Sequence, residues 1–409
     1  MTRTPPLYAT LLLAAFLGPT VRAAEPPGFV ARSVDGKTVS GRLVRVAGEA
    51  IELRGEQTHK LPAGGWLSLT RQDLSRSPFP TEEQLILANG DRIPAQDLRL
   101  ADEKVRFRHR NLAGGQEVSV PLSAVTVVWR LPPDRVVAAA RYRNRLIHGR
   151  RPRDVVHLRN GDTVEGTLVA LRDGEVEMDS GNKKVPVRWT QVAAIGLSTD
   201  LAERAPGTTR GGRLVLAASA TSPGGVFTLT GLRCDGKTLT GTTSFGAELT
   251  APLERVDRLE VVSPEVVDLA TLRPADYRYT AYLDEKWGWK ANATVSDDDL
   301  TLAGRAFPRG LGTHAACRLQ FPLAAAYRRF DTVVGLDDTL GRPGRVRIRV
   351  LGDDKPLPGG DAGVLTHAAG TVHLNVNVQG VRVLTLEVEY AGRGNVGGVV
   401  NWGCPRLVR

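Results

Sequence analysis

A unit that recurs four times before residue 263 constrains the fold of this 409-residue chain more than any other feature. Each copy opens on a turn followed by a strand-like segment, as in VDGKTVSGRL at 34–43 and RNGDTVEGTL at 159–168; the other openings lie at 88–98 and 223–232. Each copy closes around one proline, and these are Pro62, Pro121, Pro186 and Pro252. The period of about 59 to 66 residues predicts a small folding unit repeated in tandem.

Strand-like alternation fills each copy between its opening and its closing proline. The stretches 50–53, 105–107 and 175–178 place apolar side chains on one face only. Asn-Gly pairs at 89–90 and 160–161 are tight-turn signals, and proline, which lacks an N–H, favours a strand start or a sheet edge. We predict four or five short strands per unit, in a pattern that resembles a small SH3-like or Sm-like barrel. A continuous β-sandwich with similar hairpins is the alternative.

The N-terminus has the pattern of a secretory signal peptide. Arg3 precedes an apolar run at 7–17, and Val21 and Ala23 fit the small-residue cleavage rule. The run is too short to span a bilayer, which needs about 20 residues. We predict an exported protein that is periplasmic, cell-surface or secreted and has no transmembrane segment in its mature chain; a retained N-terminal membrane anchor is the alternative.

Positive charge is concentrated in one segment of a chain whose formal net charge is +10. The segment Arg130–Arg153 carries eight arginines and one acid, Asp134. We predict a helix from Arg135 to His148, capped by Asp134 and stopped by Gly149. Two interpretations are open, a surface for an anionic envelope polymer and a solvated linker helix. The segment has few aromatic residues, which argues against nucleic acid as a partner.

The last third of the chain changes in texture. The segments 346–350, 372–378 and 384–390 alternate strictly, so each has one buried face. No helical run of useful length appears, and the pattern alone predicts an antiparallel β-sandwich. The predicted organisation is therefore a signal peptide at 1–23, β repeats at 24–75, 80–130, 154–199 and 210–263, a basic linker at 131–153, and a β-sandwich at 270–409.

Several motifs of this last region occur in the order of a known domain. They are GLGTHA at 310–315, RLQFPL at 318–323, YRRFDTVVGLDD at 327–338, RVRIRVL at 345–351 and NWGCPRL at 401–407. Together they resemble the NPCBM domain, a carbohydrate-binding module found beside glycoside hydrolases and akin to carbohydrate-binding module family 51. The resemblance covers about 135 residues. It implies a galactose-binding-like jelly roll, so the fold class we predict is mainly β, with tandem barrel-like units followed by a jelly-roll β-sandwich.

The resemblance also implies a sugar site, for which an aromatic platform and a few polar side chains are needed. Trp287, Trp289 and Trp402 are the candidate platforms, and His314 and Asn401 are the candidate hydrogen-bonding groups. The alternative is that the tryptophans belong to the sandwich core and that His314 makes a structural hydrogen bond. The family usually has an acidic residue where this chain has Asn401.

Two further sites are expected in the same domain. Asp337 and Asp338 are candidate ligands of a structural calcium ion, as are the aspartates at 297–299, although solvated turns explain both runs; no other cofactor is predicted. The resembled fold places its first and last motif strands close together, which implies a disulfide between Cys317 and Cys404 and leaves Cys234 free.

No enzyme signature accounts for the chain. The GxGxxG match at 392–397 is followed by no helix to receive a pyrophosphate, and neither HExxH nor GxSxG occurs. We predict a non-catalytic, exported carbohydrate-binding or cell-surface protein whose partner is a glycan or polysaccharide. The alternative is a structural or protein-interaction protein of the envelope that binds no sugar.

Overall fold

The computed structural model describes residues 27–74, 76–181, 183–200, 210–282, 284–340, 344–392 and 397–409. The predicted signal peptide at 1–23 lies outside the described residues. Within these ranges the fold is mainly β, as predicted, and no helix has the length and apolar character needed to cross a membrane.

Short strands build each repeat unit. Unit 1 contains β1 (Gly28–Ser33), β2 (Thr38–Ala47), β3 (Ala50–Arg54), β4 (Thr58–Leu61) and β5 (Trp66–Arg71). Unit 2 contains β6 (Gln84–Leu87), β7 (Arg92–Pro94), β8 (Gln96–Ala101), β9 (Lys104–Arg108), β10 (Glu117–Pro121) and β11 (Val125–Trp129). Helix α1 (Ala139–His148) follows.

The same strand order returns after the helix. Unit 3 contains β12 (Asp154–Leu158), β13 (Thr163–Arg172), β14 (Glu175–Asp179), β15 (Lys184–Arg188) and β16 (Val192–Gly196). Unit 4 contains β17 (Gly211–Leu216), β18 (Gly225–Cys234), β19 (Thr238–Thr243), β20 (Glu248–Pro252) and β21 (Val256–Val262).

Each unit pairs its first strand with its last. In units 1, 3 and 4 the second, third and fourth strands follow as antiparallel neighbours, whereas in unit 2 β7 pairs with β6, and β8, β9 and β10 form a separate antiparallel run. Gly90 and Gly161 adopt φ of +89° and +98° at the Asn-Gly turns, a backbone region that favours glycine. Pro121, Pro186 and Pro252 lie on the next-to-last strand of their units, which has no second ladder among the described strands. The sequence indicated a strand start or a sheet edge for these prolines, and the sheet edge is observed. Proline fits there because the outer side of an edge strand needs no N–H donor for a neighbouring strand.

The units associate through their last strands. The β5 strand pairs antiparallel with β21, with Leu69 opposite Leu259, and β11 pairs antiparallel with β16, with Val128 opposite Ile195. Unit 1 is thus joined to unit 4, and unit 2 to unit 3, within one 21-stranded sheet. These four residues belong to one apolar core that runs through all four units. The units therefore stabilise one another and are not independently folded domains.

The last third is an antiparallel β-sandwich, as the alternation predicted. Its strands are β22 (Val266–Asp268), β23 (Asp276–Tyr279), β24 (Lys290–Ala291), β25 (Thr301–Leu302), β26 (Arg305–Ala306), β27 (Gly310–His314), β28 (Cys317–Pro322), β29 (Arg329–Leu336), β30 (Arg345–Gly352), β31 (Lys355–Thr366), β32 (Val372–Asn377), β33 (Val383–Tyr390) and β34 (Val399–Val408). One sheet has the order β24-β27-β34-β29-β32, with β22 beside β34, and the other has the order β23-β28-β33-β30-β31. Leu311, Phe330 and Leu386 are buried in the core of this domain.

Helix α1 begins later than the sequence indicated. It starts at Ala139 without a capping side chain, because the carboxylate of Asp134 instead accepts from the guanidinium of Arg159 at 2.8 Å. The C-terminal end is as predicted, since the N–H of Gly149 donates to the carbonyl of Arg145.

The arginines of this helix contact the β-sandwich. Arg141 pairs with Asp298 at 2.8 Å, Arg143 with Asp299 at 2.8 Å, and Arg145 with Asp297 at 3.4 Å. The interpretation of α1 as a solvated linker is therefore wrong. A role in binding an anionic polymer is not supported, because three of the arginines already have carboxylate partners. The aspartates at 297–299 in turn have cationic side chains as partners, and Lys290 adds one more at 2.8 Å from Asp297.

A second charged contact joins units 1 and 4 to the sandwich. Arg258 donates to Glu260 at 2.7 Å and to the carbonyl of Ala306 at 2.9 Å. Arg406 donates to Asp331 at 3.2 Å and to the carbonyl of Leu67 at 2.7 Å. We call Arg258, Glu260, Asp331 and Arg406 the interface ion cluster. All four side chains are buried, so the sandwich is docked on the repeats through paired charges.

The carboxylates of the interface ion cluster have low pKa values. Burial alone raises the pKa of Glu260, but Arg258 and the other nearby arginines outweigh it and lower the value to about 2. Burial likewise raises the pKa of Asp331, whereas the hydrogen bond from His373 and the charge of Arg406 lower it to about 2. Both groups therefore stay ionised well into the acid range.

Acid is expected to weaken the docked structure. A carboxylate whose pKa is depressed by folding stabilises fully above its usual value, 4.5 for Glu260, and that contribution disappears as the pH falls toward about 2. For Glu260 the loss is about 3 kcal/mol. Urea unfolding between pH 7 and pH 2.5 measures it. The Glu260→Gln variant should have a smaller free energy of unfolding at pH 7, and that free energy should fall less as the pH is lowered. An unchanged pH dependence in this variant would contradict the assignment of the effect to Glu260.

Candidate functional site

Aromatic side chains gather where several strands of the sandwich end. The ring of Trp287 stacks on that of His314, with centroids 5.1 Å apart and an interplanar angle of 5°. Tyr279 meets His314 edge-on at 6.2 Å, and Tyr282 meets Tyr390 edge-on at 5.8 Å. We call these five residues the aromatic cluster. Flat apolar faces of this kind suit the apolar face of a planar or ring-shaped ligand.

Strand ends and one loop hold the aromatic cluster in place. Tyr279, His314 and Tyr390 are the last residues of β23, β27 and β33. Tyr282 and Trp287 belong to the segment between β23 and β24. The hydroxyl of Tyr277 donates to the carbonyl of Trp287 at 2.6 Å and tethers this segment to the sheet.

The polar atoms of the aromatic cluster are available for additional hydrogen bonds. Trp287 Nε1 is buried and has no hydrogen-bond partner among the described residues, whereas the buried hydroxyls of Tyr279 and Tyr390 face each other and have no other partner there. Burial raises the pKa of Tyr279, and the adjacent Tyr390 hydroxyl acts in the same direction, so the phenol remains a neutral donor. Buried polar groups normally have partners, so these atoms are what a ligand hydroxyl could satisfy.

His314 is neutral and has one defined tautomer. Burial lowers its pKa. Its Nδ1 contacts the carbonyl oxygen of Ala315, which can only accept, so Nδ1 carries the proton and Nε2 has the free lone pair. The imidazole is thus both a stacking surface under Trp287 and a hydrogen-bond acceptor.

The other predicted sugar contacts lie elsewhere. Trp402 is fully buried in β34, and its Nε1 donates to the hydroxyl of Thr313 at 3.1 Å. Asn401 is also fully buried and donates to the carbonyl of Thr301 at 3.1 Å. The assignment of Trp402 and Asn401 as sugar contacts is wrong, because neither side chain reaches the surface. Trp289 is half-buried and packs against the sandwich core.

The two candidate calcium ligands organise turns. Asp337 accepts from the N–H and the hydroxyl of Thr339, at 3.0 and 2.9 Å. Asp338 accepts from the N–H groups of Ala303 and Gly304, at 3.2 and 2.7 Å. In the part of the chain that the structure describes, no three His, Cys, Asp or Glu side chains converge to hold a metal. Both carboxylates accept hydrogen bonds from the protein, as in the turn interpretation, and a structural calcium ion stays a prediction.

The disulfide between Cys317 and Cys404 is not formed, and all three cysteines are free and buried. Cys317 lies in the core between the two sheets of the sandwich. Cys404 packs with Leu300, Leu302 and Phe307 in a separate cluster, and its thiol contacts Glu260 at 2.8 Å. The two strands are in the expected domain, but the two side chains belong to different layers of it.

Three members of the aromatic cluster were missed from the sequence. Tyr279 and Tyr282 lie in a stretch, 277–289, that holds five aromatic residues in a chain with only 5% aromatic content. That local concentration was the available signal. Tyr390 ends an alternating strand, and nothing in its neighbourhood distinguishes it from an ordinary strand residue.

A comparison with protein families supports the domain that the sequence motifs indicated. Residues 275–408 match the family model described as the NPCBM/NEW2 domain. We call residues 275–408 the NPCBM domain after this match, which does not extend to the repeats.

One curated relative and several solved structures are similar to parts of this chain. A Renibacterium salmoninarum protein named "Putative endo-alpha-N-acetylgalactosaminidase" is 29% identical over 116 residues, which are 28% of this chain and 8% of that protein. The chain thus corresponds to a small part of that relative. A CBM51 module of a Clostridium perfringens GH95 protein, solved with methyl-galactose, is 22% identical over 35% of this chain and 99% of its own, with a TM-score of 0.32. The tandem CBM51 modules of a Streptococcus pneumoniae family 98 glycoside hydrolase are 12% identical over 80% of this chain and 88% of their own, with a TM-score of 0.31.

Proposed function

We propose that this protein is an exported, non-catalytic carbohydrate-binding or cell-surface protein that binds a glycan through the aromatic cluster of its NPCBM domain. The observation that carries the proposal is the Trp287–His314 stack, set beside the partnerless Nε1 of Trp287 and the facing hydroxyls of Tyr279 and Tyr390. A pyranose has an apolar face for the ring surface and hydroxyls for those polar atoms. Tyr282, with 53% of its surface exposed, extends the aromatic surface toward solvent.

Part of the aromatic cluster lies on the sheet that does not dock on the repeats. The residues that contact the repeats, such as Asp331 and Arg406, lie on the sheet that contains β29 and β34. Tyr279 and Tyr390 end strands of the opposite sheet, whereas His314 ends β27 of the docked sheet. The repeats therefore support the proposal as a rigid platform that holds the domain in one orientation.

Replacing Trp287 with Ala is expected to weaken glycan binding at least tenfold while leaving the melting temperature nearly unchanged. Trp287 is only half-buried, so its loss removes the stacking surface but little core packing. A single shallow site should bind with a dissociation constant on the order of micromolar to millimolar. Calorimetric titration of the full chain measures this. N-acetylgalactosamine is the first ligand, chosen from the name of the curated relative. Galactose, which lacks the N-acetyl group, is the second, and glucose is the comparison.

Trp289→Ala is the matched control for that experiment. Because Trp289 packs against the sandwich core, its loss should lower the melting temperature and leave the affinity of the folded protein unchanged. Unchanged binding by Trp287→Ala, with wild-type binding detectable, would place the site elsewhere. Absence of binding to any sugar of a glycan array would favour the second candidate, a structural or protein-interaction protein of the envelope. The extensive contact between the repeats and the sandwich is the observation that favours this candidate.

A further inference from the structure

A cavity of about 200 Å³ lies where units 1 and 4 meet the NPCBM domain. It is distinct from the aromatic cluster, and its lining is unusually rich in guanidinium groups. The charged side chains that line it are Arg32, Arg258, Glu260, Arg305 and Arg406, and Ser68 and Thr70 add hydroxyls. Four cations and one carboxylate thus share one enclosed space.

Three of these arginines have carboxylate partners. Arg258 pairs with Glu260 at 2.7 Å, Arg305 with Asp257 at 3.0 Å, and Arg406 with Asp331 at 3.2 Å. Each of the three carboxylates has less than a twentieth of its side chain exposed. These pairs balance one another, so they add no net charge to the cavity.

One further arginine is left over. Arg32 lines the cavity half-buried, and among the described residues its guanidinium has neither a hydrogen bond nor an ion pair. The four guanidinium groups of the cavity therefore face three carboxylates. An unbalanced charge that is taken out of water is costly unless something compensates it.

An unused donor points to the same imbalance. Nε of Arg406, a side chain that lines the cavity with only 7% of its surface exposed, has no acceptor among the described residues. Burial lowers the pKa of Arg32, and the nearby charges of Arg406 and Arg258 act in the same direction, against the opposing effect of Asp331. The cavity thus combines positive potential with N–H groups that lack acceptors.

We infer that this cavity binds a small oxyanion, a phosphate or sulfate group. Guanidinium forks match the oxygens of such groups in geometry and charge. The hydroxyls of Ser68 and Thr70, which also line the cavity, can donate further hydrogen bonds. The volume accommodates the anion with a few waters. Because the lining comes from unit 1, unit 4 and the NPCBM domain, the bound anion would hold the three parts together.

Phosphate is expected to raise the melting temperature of the full chain by a few degrees in a saturable manner, at ionic strength matched with chloride. Arg32→Gln should abolish this rise. In chloride alone the same variant should melt at the wild-type temperature or above it, because it removes an unpaired charge. Arg328→Gln makes the same charge change in a separate cleft of about 610 Å³ between unit 1 and the NPCBM domain, and it should keep the phosphate effect.

Phosphorus NMR titration of the wild-type protein provides a readout that does not depend on the stability of any variant. Galactose 6-sulfate beside free sulfate distinguishes the source: binding of free ions assigns an inorganic anion, and Arg32-dependent binding of the sulfated sugar alone assigns a glycan substituent. The inference is overturned if no saturable binding of phosphate, sulfate or the sulfated sugar occurs. It is also overturned if Arg32→Gln retains the full phosphate effect, or if its melting temperature falls equally in chloride and in phosphate.

Discussion

Replacing Asp299 with Asn is expected to destabilise the protein by about 3–5 kcal/mol, the usual cost of removing one partner of a buried ion pair. Asp299 accepts from Arg143 at 2.8 Å, from Arg92 at 3.1 Å and from Asn144 at 3.0 Å. Arg143 and Arg92 have 3% and 7% of their side chains exposed. Asparagine keeps the shape but leaves both guanidinium groups without a counter-charge. Urea unfolding, with calorimetry as a second method, measures the loss in the free energy of unfolding.

The neighbouring Asp297 supplies the control. It carries the same charge and lies in the same aspartate run, but its partners Arg145 and Lys290 are largely exposed. Exposed ion pairs contribute about 0–1 kcal/mol, so Asp297→Asn should cost less than about 1 kcal/mol by the same rule. Equal, small losses for both variants would mean that the contact between α1 and the sandwich is no stronger than a surface pair.

Trp402→Ala is expected to cost about 3–5 kcal/mol, as for other large aromatic residues removed from a core. The indole is fully buried between the two sheets, so its removal leaves a cavity and also deprives Thr313 of its hydrogen-bond donor. Thermal unfolding should show the NPCBM domain melting earlier. Trp287→Ala, which removes an identical side chain from a half-buried position, is the control and should melt near the wild-type temperature.

The outcome for Trp402 also tests which tryptophan serves recognition. If Trp402→Ala melts normally but loses glycan binding, the assignment of Trp402 to the core is wrong. If it melts early and its folded fraction still binds sugar, recognition belongs to the aromatic cluster.

Local order was readable from the sequence because it depends on neighbours in the chain. Alternation at 346–350 and 384–390 predicts strands with one buried face, since successive side chains point to opposite sides. Gly149 marks the end of α1 for a similarly local reason. The start of α1 was misplaced because Asp134 contacts Arg159, a residue on another element that a local capping rule does not consider.

The aromatic site was only partly readable. Trp287 and His314 were both named from the sequence, and the structure stacks their rings. Their role in sugar binding stays a prediction. Trp402 was misjudged because alternation shows that neighbouring side chains lie on opposite faces of a strand. It does not show which of the two faces packs into the core. The predicted disulfide between Cys317 and Cys404 was wrong for the same reason. Two strands of one domain can direct their thiols into different layers of it.

The sequence by itself determined the repeated unit, the β class and the domain family of the last third, because periodicity, turn residues and ordered motifs are properties of the chain. Only the tertiary structure decided that unit 1 joins unit 4, that unit 2 joins unit 3, and that the arginines of α1 meet the aspartates at 297–299. The charge and apolar patterns of a segment show that its surface needs a packing partner. They do not identify that partner, because many other segments of the chain are equally suitable. The choice among them depends on how the whole chain packs, because contacts between distant segments form only where the shapes of both allow the charges to be buried together.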